Sequence, residues 1–163
     1  MIIEYEEKYL EDVKDLLVEL EEYLVSIDED NLDQVHEEYR EKLAVIELQE
    51  INEKNGKCFL AIENNKAVGL IMGEIREFGK YDYLDYTGPK TGDIIELIVS
   101  KNSRGKGLGN KLMKRMEEYF KEQGCEIVSL EVFAFNQNAI NFYDKIGYHN
   151  RMHKIIKSIK TVE

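Results

Sequence analysis

The sequence predicts one mixed α+β domain organised around a single sheet. Three observations lead to that class. The chain has 163 residues, of which 43% are apolar, which suits one domain with a buried core. Apolar segments of two-residue and of three-to-four-residue period follow one another as strand, two helices, three strands, helix, strand, helix, strands. Finally, a stretch with three glycines, Arg104-Gly105-Lys106-Gly107-Leu108-Gly109, joins an apolar segment to an amphipathic one and reads as strand, tight turn, helix. No low-complexity linker or internal repeat divides the chain, so the domain is expected to run over residues 1–163.

Residues 1–5 read as a short first strand. Tyr9, Leu10, Val13, Leu16, Leu17, Leu20 and Leu24 mark an amphipathic helix with an acidic outer face. Asp28-Glu29-Asp30-Asn31 breaks it. A second helix is expected from about Leu32 to Lys54, carrying Val35, Tyr39, Leu43, Ile46 and Ile51, with Asn31 as its cap. Residues 58–63 and 67–75 form a hairpin about Asn64-Asn65-Lys66. Residues 77–92 are irregular and tyrosine-rich. Residues 93–100 are the strand that feeds the glycine turn. The helix after it buries Leu108, Leu112, Met113, Met116 and Phe120 and stops at Gly124. Residues 127–135 read as a strand, 139–146 as a short helix ended by Gly147, and 148–159 as a final strand or two.

The net charge of −11 disfavours nucleic acid and suits a cationic small molecule or a basic peptide. No signal-peptide pattern opens the sequence, and no apolar run approaches the ~18 residues of a membrane span. Cys58 and Cys125 lie in unrelated contexts, so no disulfide framework is expected and a reducing cytoplasm is the default. His36, His149 and His153 lack metal-site spacing, and no metal is expected.

A strand, a glycine turn and a helix together point free backbone N–H groups and the positive end of a helix dipole at one spot, which suits phosphate. The stretch fails the P-loop order, because Asn110 and Lys111 follow Gly109. It also fails the dinucleotide fingerprint, whose third glycine would fall on Asn110. A second motif lies some thirty residues on: Asn136-Gln137-Asn138-Ala139, then Phe142-Tyr143, then Gly147-Tyr148. Together with Arg104-x-x-Gly107-x-Gly109, it resembles the GNAT (GCN5-related N-acetyltransferase) superfamily. Both motifs stand in the family's order and separation, and the likeness spans nearly the whole chain.

The resemblance implies a central mixed, mostly antiparallel sheet flanked by helices, with two central strands splayed apart. It implies acetyl-CoA as cosubstrate. The pyrophosphate would sit on backbone N–H groups of Arg104, Gly105, Lys106, Gly107, Leu108, Gly109 and Asn110, with charge from Arg104 and Lys106. The pantetheine arm would lie in the splay between residues 97–100 and 131–134, held by main chain at Ile98 and Val99. Asn136 would bond that arm or cap the next helix, and Asn138 and Lys145 are lesser candidates for the nucleotide end. Tyr143 would protonate the departing thiolate. The base is left open between Glu96, Asp93 and water alone; strand alternation puts Glu96 on the face of Ile98 and opposite Leu97.

The family's acceptor pocket would fall here on residues 23–33 and 81–86, where Glu21, Glu22, Asp28, Glu29, Asp30, Asp82 and Asp85 make an acidic, tyrosine-bearing rim. That rim suits a small cationic primary amine attacking directly in a ternary complex. A protein or peptide N-acetyltransferase and a non-catalytic acyl-CoA-binding module are the alternatives. A homodimer paired through residues 148 onward is a further expectation from the family.

Overall fold

Five strands make one sheet in the order in which the chain supplies them. In the computed structural model, which describes residues 1–159, these are β1 (Ile2–Glu4), β2 (Lys57–Glu63), β3 (Lys66–Ile75), β4 (Thr91–Val99) and β5 (Ile127–Leu130). The first three pairings are antiparallel and β4–β5 is parallel, so the sheet is mixed and mostly antiparallel. The β2–β3 hairpin turns on Asn64 and Asn65, both at positive φ (50° and 61°), the left-handed pair that matches strand twist. The parallel step requires a crossover, and α3 (Leu108–Glu122) supplies it.

Helices cover both faces. On one face α1 (Leu10–Ile27) and α2 (Tyr39–Glu53) bury Val13, Leu16, Leu17, Ala44 and Ile51 against Leu60, Leu70, Met72 and Ile98. On the other, α3 packs Leu112, Met113, Met116 and Phe120 on Phe59, Ala61, Ile71 and Ile94, with α4 (Gln137–Lys145) alongside through Phe142 and Tyr143. Phe120 fits because β3 and β4 both lack a side chain beneath it. A Cβ on Gly92 would stand 2.4 Å from its ring, and one on Gly73 2.7 Å. Buried Lys14 ties α1 to α2 through Glu11 (2.9 Å) and Glu41 (2.7 Å), and Arg40 adds Asp15 at 2.8 Å.

Three expected elements come out differently. The second helix starts at Tyr39, not Leu32. The Asp28 carboxylate gathers the N–H groups of Asp30, Leu32 and Asp33, and Asn31 sits at φ 53°, so 28–33 is a self-bonded loop that leaves Leu32 72% exposed. On that helix the buried residues are Ala44 and Ile51, whereas Ile46 faces solvent. The strand expected over 127–135 pairs only to Leu130. Residues 148–159 form neither helix nor strand, and they run without a turn or a bend.

The early end of β5 has a cause in β4. Met72 faces Glu96 while Gly73 faces Ile94, so Ile95 is an extra residue in β4. Such a bulge bends and twists its strand. The β4–β5 ladder stops at Ile94↔Leu130, one residue before it. Beyond that point the two strands part, which is the splay the site uses.

Candidate active site

The open edge of β4 has a definite set of backbone groups. Ser100 N–H donates to Val68 O at 2.9 Å, so Ser100, Ile98 and Glu96 turn their main chain toward β3. Leu97 and Val99 alternate with them and turn theirs into the splay. Ile98, expected to contact the cofactor arm by main chain, instead commits its backbone to β3 and its side chain to the core against α1. Val99, the other expected contact, is on the open side, where its carbonyl accepts from Arg104 Nε at 2.9 Å.

After Val99 the chain makes one short 3-10 turn and then the glycine turn. Gly105 and Gly107 sit at φ 78° and 73°, and a Cβ on either would meet nothing within 4 Å. The left-handed backbone demands glycine there, and the space above it is open. The first main-chain bond of α3 is Lys111 N–H to Gly107 O. The N–H groups of Leu108, Gly109 and Asn110 are therefore the helix's unsatisfied first-turn donors. Gly109 lets that turn approach Phe142 of α4, at 3.4 Å from where its Cβ would be. Two carboxylates sit on the loop's cations: Glu63 pairs with Lys106 at 2.8 Å, and Glu19 stands 3.8 Å from Arg104. Open glycines, free donors and two cations fit a pyrophosphate.

Tyr23 of α1 spans the mouth of the splay. Its ring lies under the Arg104 guanidinium (5.8 Å), and its hydroxyl donates to Asn136 Oδ1 at 3.2 Å. The same Asn136 oxygen accepts from Ala139 N–H at 3.2 Å and caps α4. Asn136 is 8% exposed, so its second expected role, bonding the cofactor arm, would compete with Tyr23.

Three carboxylates, from α1, α2 and β4, influence one another electrostatically. Burial, with Glu47 and Glu21 nearby, pushes the Glu96 carboxyl up to about 8. Burial, with Glu50 and Glu21, pushes Glu47 up to about 7. Glu21 is raised by burial and by Asp33, and its carboxylate accepts from Tyr39 Oη at 3.5 Å. Among the described residues nothing hydrogen-bonds Glu47 Oε2, which is buried. Tyr143 comes to this group from α4. Burial and then the Glu96 charge push its phenol up to about 12, so Glu96 and Tyr143 lie within electrostatic reach of each other. Asp93, the competing base, is otherwise engaged: Arg76 clasps it at 2.8 and 2.6 Å, and Ser129 donates to it as well. This clasp, from the residue that follows β3, ties β4 to β5 one pair before their ladder ends.

Within the acidic rim expected over 23–33 and 81–86, the side chains have definite local engagements. Asp28 bonds its own loop, Tyr81 and Tyr83 are 63% and 71% exposed, and Tyr86 turns to Thr91 (3.4 Å). Glu21, from the same acidic set, does reach the pocket. Helical periodicity gives Tyr39 only as an apolar-face residue and does not single out Glu47. The available signal was a glutamate in register with the buried Ala44 and Ile51 on α2. Cys58 and Cys125 are buried and free, and burial raises both thiols, so neither is poised as a nucleophile. Among the described residues no three His, Cys, Asp or Glu side chains are grouped to hold a metal, and no helix is long and apolar enough to cross a membrane.

Against known proteins, the model for the acetyltransferase (GNAT) family matches residues 15–148. The N-alpha-acetyltransferase MAK3 of Arabidopsis thaliana is 33% identical over 91 residues, 56% of this chain and 44% of that one. An uncharacterized N-acetyltransferase of Methanocaldococcus jannaschii is 35% identical over 96 residues, 58% of this chain and 54% of that one. The chain thus spans about half the length of these curated relatives. A mutant of the BH1408 protein from Bacillus halodurans has the same fold, with a TM-score of 0.84 at 19% identity, covering 98% of this chain and 99% of that one.

Proposed function

The chain belongs to the acetyltransferase (GNAT) family, and from that premise we propose that it transfers the acetyl group of acetyl-CoA to a primary amine that arrives as a cation. The observation that carries the acceptor reading is the group of partly buried carboxylates Glu21, Glu47 and Glu96, with one buried Glu47 oxygen lacking a partner among the described residues. Carboxylates buried together cost free energy, and an ammonium ion among them offsets that cost.

Acetyl-CoA, when bound, supplies an activated acetyl group and a thiolate leaving group. The residues that would hold it are the turn from Arg104 to Asn110 and the free main-chain edge at Leu97 and Val99. That edge also offers N–H donors to an oxygen gaining negative charge. Glu96 accepts a proton from the incoming ammonium, directly or through one water, and a carboxyl near 8 is matched to that task. Tyr143 stays protonated at neutral pH and keeps its proton at Oη for the leaving group. Glu47 and Glu21 hold the cation in the pocket.

A second reading has the α-amino group of a peptide as acceptor, favoured by the relative named as an N-alpha-acetyltransferase. Thiol release with a polyamine, an aminoglycoside and a short peptide with a free N-terminus tests both. Release with the small amines is expected. Release with the peptide alone would replace the first reading by the second. Tight CoA binding with no release above hydrolysis for any amine would leave a binding module instead of an enzyme.

A further inference from the structure

We infer that Tyr23 is a positioning residue: from α1 it holds Arg104 and Asn136, one on each side of the splay, in the places from which they meet the cofactor. Both partners lie past the point where β4 and β5 part, Arg104 beyond the end of β4 and Asn136 beyond the end of β5. One half-buried side chain touches the two of them. The Arg104 guanidinium stands 5.8 Å from the centre of the Tyr23 ring, and the Tyr23 hydroxyl is 3.2 Å from Asn136 Oδ1.

The direction of the hydroxyl bond is fixed. Ala139 N–H donates to the same Oδ1 at 3.2 Å, and a main-chain N–H can only donate. The amide oxygen is therefore turned to both groups, and Tyr23 is its second donor. Bonding an N–H of the cofactor arm through Oδ1 would compete with Tyr23. Bonding a carbonyl of that arm through the Nδ2 hydrogens would not, so Tyr23 sets Asn136 as a donor. On the other side Arg104 is held from three directions: the ring, Val99 O on Nε at 2.9 Å, and Glu19 at 3.8 Å from Nη2. Glu19 precedes Tyr23 by one helical turn on the same face, and it accepts from Lys101 N–H at 2.7 Å. One face of α1 thus grips the segment between β4 and α3 at two points. The ring gives the guanidinium a flat platform that restricts its freedom before a phosphate arrives.

The inference rests on the placement of CoA in this cleft, and calorimetric titration of the full chain with CoA separates the two. Tyr23→Phe keeps the platform and removes the hydroxyl; it is expected to weaken CoA binding about fivefold. Tyr23→Leu removes the ring as well and is expected to weaken it about threefold further. Double-mutant cycles give the readout that a merely structural role would not move. With Asn136→Ala in place, Tyr23→Phe is expected to cost no further affinity. With Arg104→Ala in place, Tyr23→Leu is expected to cost no more than Tyr23→Phe. Losses that add in both cycles, or that follow the melting temperatures of the variants and not their partners, overturn the inference. Hydrogen exchange of the parent needs no variant: CoA is expected to slow the amides of residues 20–27 in α1, and exchange there that ignores CoA overturns it too. A parent that binds no CoA overturns the placement of the cofactor itself, whereas CoA binding indifferent to Tyr23 overturns the inference alone.

Discussion

Glu96 is ionisable, largely buried and beside two other carboxylates, and those facts set its chemistry and its cost together. Its raised value predicts that kcat/KM climbs with pH up to about 8 and levels above it. Glu96→Gln is expected to remove that limb and to lower kcat by roughly 100-fold; a pH–rate profile of both proteins checks it. The same shift is a stability statement. A carboxyl raised in the folded state contributes fully below the unfolded value of ~4.3, and that contribution is lost as pH rises through the folded value. Glu96→Gln is therefore expected to melt at the parent's temperature near pH 4 and to be more stable at pH 8–9 by on the order of 1–3 kcal/mol. Tyr143→Phe removes only the phenolic proton. It is expected to lower kcat by roughly 10–100-fold with CoA affinity unchanged, as titration calorimetry would show. Glu47→Gln keeps the shape of the side chain and removes its charge. The KM for the amine is expected to rise about tenfold, the loss of one charge pair, again with no change in CoA affinity.

At the scale of elements, the glycine turn and the bulge at Ile95 divide the work. The bulge ends the β4–β5 ladder and frees main chain at Leu97 and Val99; the turn, a few residues on, aims the first donors of α3 at the same cleft. Gly107→Val would put a branched side chain at φ 73° in open space. It is expected to cost about 1–2 kcal/mol of stability from the left-handed backbone, and CoA affinity should fall by more than that strain explains, because the side chain fills the phosphate cradle. Calorimetric binding beside thermal melting separates the two effects. The turn was legible in the sequence because its physics is local: three glycines, two cations, a strand before and a helix after. The bulge was not legible, since an extra residue in a strand exists only relative to its partner. The wrong start of α2 has a similar cause. The apolar residues Leu32 and Val35 fit a helical period, but the Asp28 side chain offered the backbone N–H groups a closer acceptor.

For the molecule as a whole, α3 meets the sheet where Phe120 presses on Gly73 and Gly92 of adjoining strands. Gly92→Ala is expected to destabilise the fold by about 1–3 kcal/mol through overpacking, measurable by denaturant titration, with the active-site side chains untouched. That contact joins residues far apart in sequence, as do the pairings that matter for chemistry. The sequence by itself determined the order of the elements through α4, the family, the glycine turn, and Glu96 and Tyr143 as candidates, because periodicity, turn residues and motif spacing are written along the chain. Only the tertiary structure decided that Asp93 is clasped by Arg76, that Glu47 and Tyr39 join Glu21 around Glu96, and that Leu97 and Val99 face the splay. It likewise decided that the last apolar run, which reads as strand, forms neither helix nor strand over 148–159. Desolvation, ion pairing and strand partnership depend on what surrounds a residue in space, and one chain read in one dimension does not contain its surroundings.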